Sequence, residues 1–354
     1  MTSSLPAEVK PVSVPAGGFR RIAVLRLSSL GDVILALPVT HELARAFPGA
    51  RLEFWTKEEY ADVVRFDPLI THVRSLERDA RRLEDLVSMS AELEACDLIV
   101  DLHGSLRSRV LTFRQRALVL RAASSRMARA RWVRARWTRP DPLPHALERY
   151  ARALRPIGLA TAGTPRVTAG PEAEAWAEEW LRSWPESGST VALCPGALHA
   201  TKRWPEEHWV RLHRLLRERG ARLLYLSLES ERRSLPALVA CGEGDAQVRW
   251  CTGPLARMAA VLRHCRVAVT QDSGLMHLAA ARGTRLVSVF GSTSPVLGFA
   301  PVGDDHVVLC RNEPCQPCTL HGRERCPKGH FDCMRKLEPD QIVGTLARMD
   351  ALPA

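Results

Sequence analysis

The chain has no apolar run of the eighteen or so residues that a membrane-spanning helix needs, so no helical anchor is expected. Its opening residues, MTSSLPAEVKPVSVPAGG, lack the apolar core of a signal peptide. They read as a short disordered lead over residues 1–19, with the cytoplasm as the expected compartment. The phosphate-binding pattern GxxxxGK followed by Ser or Thr is missing, and so is GxGxxG. A P-loop NTPase and a nicotinamide dehydrogenase are therefore both unsupported. No helix-turn-helix, finger or RNP-like motif is present, and no nucleic acid partner is expected. No short-period repeat is visible. Acid is scarce in one place. From Asp101 to Pro140 there are eleven arginines, no lysine and a single acid, Asp101. That segment carries nearly all of the chain's net charge of +11. Such a patch wants an anionic partner.

What is present is an ordinary globular balance, 46% hydrophobic and 25% charged, over a length that suits two domains. Apolar runs at Ile22–Leu27, Arg51–Trp55, Val73–Leu76 and Leu98–Leu102 read as strands. Helical segments lie between them, and a long arginine-rich helical stretch follows. Prolines and glycines loosen the pattern between Arg155 and Thr190, around an expected helix at Glu172–Trp184. The alternation then restarts. Strands are expected at Val191–Cys194, Arg222–Ser227, Val267–Thr270 and Leu286–Phe290, with helices at Glu206–Arg219, Leu255–His264 and Leu275–Ala281. Alternating strands and helices imply parallel sheets with crossover helices, twice in one chain.

Three stretches carry chemistry. In RIAVLRLSSLGDVILALP, Asp32 stands where a buried strand hands over to a helix. In open α/β sheets that carboxyl edge faces the ligand crevice. In CPGALHATKRWP, a glycine turn, Lys202 and Arg203 follow a strand and precede a helix. A lysine there can hold a diphosphate as a point charge. In QDSGLMHLAAARG, Ser273 and Gly274 occupy a helix N-terminus, where free N–H groups and the helix dipole favour an anion. Gly274 would let a phosphate approach the backbone. Asp272 precedes this turn, and His277 in its first turn can lean back into the same crevice. A capping role for Asp32 or Asp272-Ser273 and a packed core role for His277 are the structural alternatives.

In their order and spacing, GDVILALP, DLHGSLRS, PGA…KRWP and DSGLMHLAAARG resemble glycosyltransferase family 9, the ADP-heptose:lipopolysaccharide heptosyltransferases and their relatives. The resemblance runs from about Arg20 to about Thr345. It implies a GT-B fold, two Rossmann-like domains. An acceptor-binding one would span residues 20–165 and a nucleotide-sugar-binding one residues 166–335, with a C-terminal helix at 336–354 that packs back on the first. It also implies an inverting transfer from a nucleotide-diphosphate sugar, ADP-heptose, with no cofactor required for catalysis. Asp32 would be the general base. Lys202, Arg203, Asp272, Ser273, Gly274 and His277 would bind the donor. Glu229 or Glu231 would hold its ribose. The acceptor would be the lipopolysaccharide core or a related anionic glycolipid, at the inner face of the cytoplasmic membrane. Arg107, Arg109, Arg114 and Arg116 would bind it, and Trp132 and Trp137 would rest on the membrane surface. One departure concerns the donor. Close relatives often carry an acidic residue right after PGA, where this chain has Leu198 and then His199.

Of ten cysteines, Cys96, Cys194, Cys241, Cys251 and Cys265 are scattered and read as buried apolar residues. Five more crowd into Cys310–Cys333, with His321 and His330 interleaved. A structural zinc on Cys315, Cys318, Cys326 and Cys333 is one expectation. A reduced, metal-free loop and disulfides formed on oxidation are the others. The zinc would staple a loop near the cleft.

Overall fold

A computed structural model describes residues 11–76, 83–135, 141–159, 163–184 and 189–353. It contains two wholly parallel sheets. The first is built from β1 (Arg21–Leu25), β2 (Arg51–Lys57), β3 (His72–Leu76), β4 (Leu98–Asp101) and β5 (Leu118–Arg121), in the order β3-β2-β1-β4-β5. The second is built from β6 (Thr190–Cys194), β7 (Arg222–Leu226), β8 (Val248–Cys251), β9 (Val267–Gln271), β10 (Leu286–Phe290) and β11 (His306–Cys310). Its order is β11-β10-β9-β6-β7-β8. Central strands are covered on both faces, as parallel sheets require, and β4, β6, β9 and β10 are buried along their whole length.

The chain divides into two compact units. Residues up to 28, 35–124 and 146–163 make the first. Residues 29–34, 125–145 and 164–354 make the second. The second therefore draws two short pieces from the first half of the chain, which the expected boundary near residue 165 does not foresee.

Four expectations change. The long arginine-rich helix is instead the Leu106–Leu111 helix, β5 and the Arg126–Arg134 helix. Arg114 at φ +60° ends the first piece, and Leu118–Arg121 pairs in register with Leu98–Asp101 as an edge strand. The expected disordered lead is packed at its end: Phe19 is buried and meets the Phe47 ring edge-on at 5.1 Å. Residues 1–10 lie outside the described residues. The C-terminal helix, Pro339–Arg348, does not join the first unit. Its Ile342, Val343 and Leu346 enter the second unit's core beside Trp204, Trp209 and Tyr225. Trp204 Nε1 donates to the Leu337 carbonyl at 2.9 Å and fixes the approach to that helix. Cys241, expected in a core, is half-buried.

Candidate functional site

The site is assembled at the carboxyl ends of β6, β7, β9 and β10, together with residues 29–34, all within the second unit. The Leu30–Ala46 helix begins directly after Ser29. Asp32 is not its cap. It lies in the first turn, and its Oδ2 accepts from the Ser29 N–H at 3.3 Å and from Ser29 Oγ at 3.0 Å. A carboxylate is favoured by the helix dipole there and is held in one orientation.

Glycine at position 31 is required by contact. A methyl group there would lie 2.5 Å from Cδ2 of His277. The Cδ2 edge of the imidazole therefore lies against the turn that carries Asp32. Gly274 has a similar duty, which differs from the expected one. A Cβ there would lie 2.7 Å from the Leu30 side chain, so this glycine makes room for Leu30. The two motifs, far apart in sequence, are seated on each other by their glycines.

The Gly274–Ala281 helix starts one residue after Ser273, whose side chain makes no capping bond. Ser273 Oγ is buried with no hydrogen-bond partner among the described residues. His277 is 5% exposed. Burial, opposed by the Asp272 carboxylate, takes its pKa down to about 4, so the imidazole is neutral at pH 7. His145 and Asp32 are also among the groups that influence it.

Asp272, at the end of β9, is buried and holds Lys202 Nζ at 2.7 Å. Thr293 Oγ1, just past β10, donates to the same carboxylate oxygen. The Lys202 loop is tied down from several sides. The Gln271 side chain bridges the Pro195 carbonyl and the Trp204 N–H. Thr201 Oγ1 meets Ser292 Oγ at 2.8 Å, and the Thr201 N–H donates to the Arg323 carbonyl at 2.9 Å. Arg203, expected to face the donor, is spent on its own loop. Its Nε donates to the Ala197 carbonyl at 2.7 Å.

Glu231 rather than Glu229 meets the PGA turn. A Cβ at Gly196 would collide with the Glu231 carboxylate, whose Oε2 accepts from the Leu228 N–H at 2.9 Å. Glu229 turns to Arg232 and Arg233, each at 3.8 Å. Leu198, after the PGA turn, is 82% exposed.

The zinc set expected on the cysteine-rich segment is not found among the described residues. Cys315, Cys318, Cys326 and Cys333 line one small cavity with His330. Yet among the described residues no three His, Cys, Asp or Glu side chains stand in the arrangement of a metal site. The thiols are close enough to act on one another, since Cys318, Cys315 and Cys326 add to the burial that raises the Cys333 thiol, and they have further neighbours. Cys318 Sγ faces the Ser292 carbonyl at 3.7 Å, and Cys315 Sγ lies 3.8 Å from His330 Nε2. Burial pushes the Cys333 thiol up to about 12. Among the described residues no two cysteines are joined in a disulfide. The segment fastens the site by ordinary bonds. Gln316 Nε2 faces the Phe290, Gly291 and Thr293 carbonyls at 3.1, 2.6 and 2.9 Å. It also brings His321 among Arg129, Lys202, Asp32 and His199. Burial, then Arg129 and Lys202, lower the His321 pKa.

In the first unit, DLHGSLRS is a capped turn. Buried Asp101 accepts from the His103 and Gly104 N–H groups at 3.0 and 2.9 Å and from Ser108 Oγ at 3.0 Å. Ser105 and Ser108 form a capping box. Arg109, Arg114 and Arg116 are exposed and Arg107 is half-buried. Trp132 belongs to the second unit, is buried, and donates to the Asp141 carbonyl at 3.0 Å, so it is not a membrane anchor. Trp137 lies outside the described residues.

Sequence reasoning missed Thr293, Ser292 and His145. GSTSP after β10 is the one signal for the first two, a polar run directly following a buried strand. His145 has none.

The sequence profile of glycosyltransferase family 9 (heptosyltransferase) matches residues 87–327. A lipopolysaccharide heptosyltransferase 1 from Pseudomonas aeruginosa is 30% identical, over 94% of this chain and 99% of its own. Among solved structures, a family 9 glycosyl transferase from Veillonella parvula aligns with a TM-score of 0.75 at 18% identity, covering 93% of this chain and 97% of its own. An Escherichia coli heptosyltransferase with ADP aligns at 0.64 and 20% identity, covering 93% and 99%. These structures share the fold, which is GT-B with two parallel-sheet α/β domains. The chain belongs to glycosyltransferase family 9 and is a glycosyltransferase.

Proposed function

We propose that the chain transfers a heptose from ADP-heptose to the inner core of lipopolysaccharide, inverting the anomeric centre, with Asp32 as general base. The observation that carries the reading is the seating of the Asp32 turn on the donor motif. Gly31 lies on the His277 ring and Leu30 on Gly274, beside the Lys202–Asp272 pair. The name of the Pseudomonas aeruginosa relative supports the acceptor.

In this mechanism Asp32 takes the proton of the acceptor hydroxyl. The freed oxygen attacks the anomeric carbon, and the bond from that carbon to the diphosphate breaks on the opposite face. One carboxylate suffices, because the diphosphate leaves as an anion and needs no proton. Its charge falls on Lys202, on the N–H groups at the start of the Gly274–Ala281 helix, and on Ser273 Oγ, which has no hydrogen-bond partner among the described residues. Asp272 and Thr293 position Lys202. Neutral His277 packs the turn and adds no charge that would oppose the lysine. Glu231 holds the ribose hydroxyls. Arg107, Arg109, Arg114 and Arg116 hold acceptor phosphates on the first unit. The cysteine-rich segment serves the reaction by fastening the Lys202 loop. The chain works in the cytoplasm, peripheral to the inner face of the membrane. No helix among the described residues is long and apolar enough to cross one.

A second reading, another nucleotide sugar with the same chemistry, is favoured by Leu198 in place of the acidic residue common in close relatives. One assay decides. Purified enzyme is given ADP-heptose and a heptose-free core acceptor, and ADP release and acceptor mass are followed. Asp32→Asn is expected to lower kcat by roughly a thousandfold while ADP binds within a few-fold of wild type. An active Asp32→Asn enzyme would remove Asp32 as base. Wild type that spares ADP-heptose and turns over another nucleotide sugar would establish the second reading.

A further inference from the structure

The geometry points to a bilayer-docking surface on the first unit, formed by Leu106, Val110 and Phe113 with the arginines around them, that inserts into an anionic lipid surface. The Leu106–Leu111 helix buries Ser108 and Leu111 and turns Leu106 and Val110, one turn apart, outward. Leu106 is 80% exposed, Val110 37% and Phe113 68%. They are three of only nine large apolar side chains exposed among the described residues, so a third of the total falls within eight residues of sequence. Single exposed apolar residues need no explanation, but a cluster of this kind does.

The charge around them names the partner. None of Arg107, Arg109, Arg114 and Arg116 has a carboxylate partner among the described residues, and the sequence from Leu102 to Pro140 holds no acid. The Arg114 guanidinium lies over the Phe113 ring, 5.4 Å from its centroid. A soluble sugar phosphate would use the arginines but leave Leu106 and Phe113 in water. An anionic bilayer uses both. Apolar side chains enter the acyl boundary while guanidinium groups meet phosphates. The face differs from the expected one, since Trp132 is buried. The inference rests on the proposed glycolipid acceptor only in that such an acceptor lies in a membrane.

The test is co-sedimentation of the full chain with vesicles of phosphatidylethanolamine containing about one-third phosphatidylglycerol, and with vesicles lacking the anionic lipid. Neither donor nor acceptor is added. Wild type is expected on anionic vesicles at low salt. Leu106→Ser with Phe113→Ser should bind at least tenfold more weakly, with an unchanged thermal midpoint and unchanged transfer to a deacylated, soluble acceptor. Arg109→Gln with Arg116→Gln should bind anionic vesicles more weakly, by roughly fivefold per arginine, and lose salt sensitivity. Wild type left in the supernatant would overturn the proposal. So would wild-type vesicle binding by the Leu106/Phe113 variant, because attraction would then be electrostatic alone. Vesicle binding is read without catalysis, so a wrong donor or acceptor in the proposed reaction would leave this result standing.

Discussion

His277 joins two jobs in one ring. It is the surface on which Gly31 rests, and it stays neutral beside Asp272 and Lys202. Its folded pKa of about 4 lies below the ordinary value of 6.5. Above pH 6.5 neither the folded nor the unfolded chain protonates it, and its contribution is intact. Between 6.5 and 4 the unfolded chain takes up a proton that the folded chain refuses. Stability therefore falls with acid across that window, by about 2 kcal/mol at pH 5 from this group. Urea unfolding of wild type and His277→Asn at pH 7 and pH 5 measures it. Wild type should lose more than the variant on acidification. Equal losses would mean that the ring takes up its proton in the folded chain. The motif itself was plain in the sequence, whereas the partner of each residue was not. Gly274 reads as a phosphate turn and proves to be the seat of Leu30. Arg203 reads as a donor ligand and is held by the Ala197 carbonyl. Spacing reports which residues share a turn, but the third dimension decides which of them are already occupied.

At the scale of elements, loops rather than helices place the Lys202–Asp272 pair. Gln316 is the clearest example. Its side-chain nitrogen, with two hydrogens to give, lies within reach of three carbonyls at the end of β10 and in the turn after it, the turn that also supplies Thr293 to Asp272. Gln316→Ala leaves those acceptors short of a donor in a buried setting. The expected cost is about 1–3 kcal/mol in urea unfolding, with weaker ADP binding in calorimetry as the Lys202–Asp272 pair loosens. An unchanged midpoint and affinity would assign the carbonyls another partner and the segment another role. This fastening was half legible. A crowded cysteine segment near the site could be foreseen as a staple, but thiol spacing suggested a metal, and the bonds come from an amide and from backbone. Most expected strands were found where both faces are covered, as in Val191–Cys194 and Val267–Thr270; Val73–Leu76 is an edge strand that its apolar run still marked. Those missed, β5, β8 and β11, are edge strands. Their sequences mix arginine, histidine and cysteine with apolar residues, because an edge has one neighbour and needs less cover.

For the whole molecule, the same contrast between centre and edge predicts how the two sheets open. β6 and β9 are buried throughout, whereas β11 is half-buried along its length. Hydrogen exchange should show the amides of Thr190–Cys194 and Val267–Gln271 at least tenfold better protected than those of Val248–Cys251 and His306–Cys310. Uniform protection across the second sheet would mean that it opens only as a unit. The division of the chain also has a consequence in time. The turn at Leu30 and Gly31 waits for Gly274 and His277, which lie almost 250 residues downstream. At ribosomal rates of about 5–20 residues per second, that turn leaves the exit tunnel roughly 10–50 s before its partner exists. During that interval Leu30 has nowhere to bury, and Asp32 is mounted on a turn without its backing. A truncated product released in those seconds carries Asp32 without the ring that seats its turn. The seat of that turn is complete only once about three-quarters of the chain has been made.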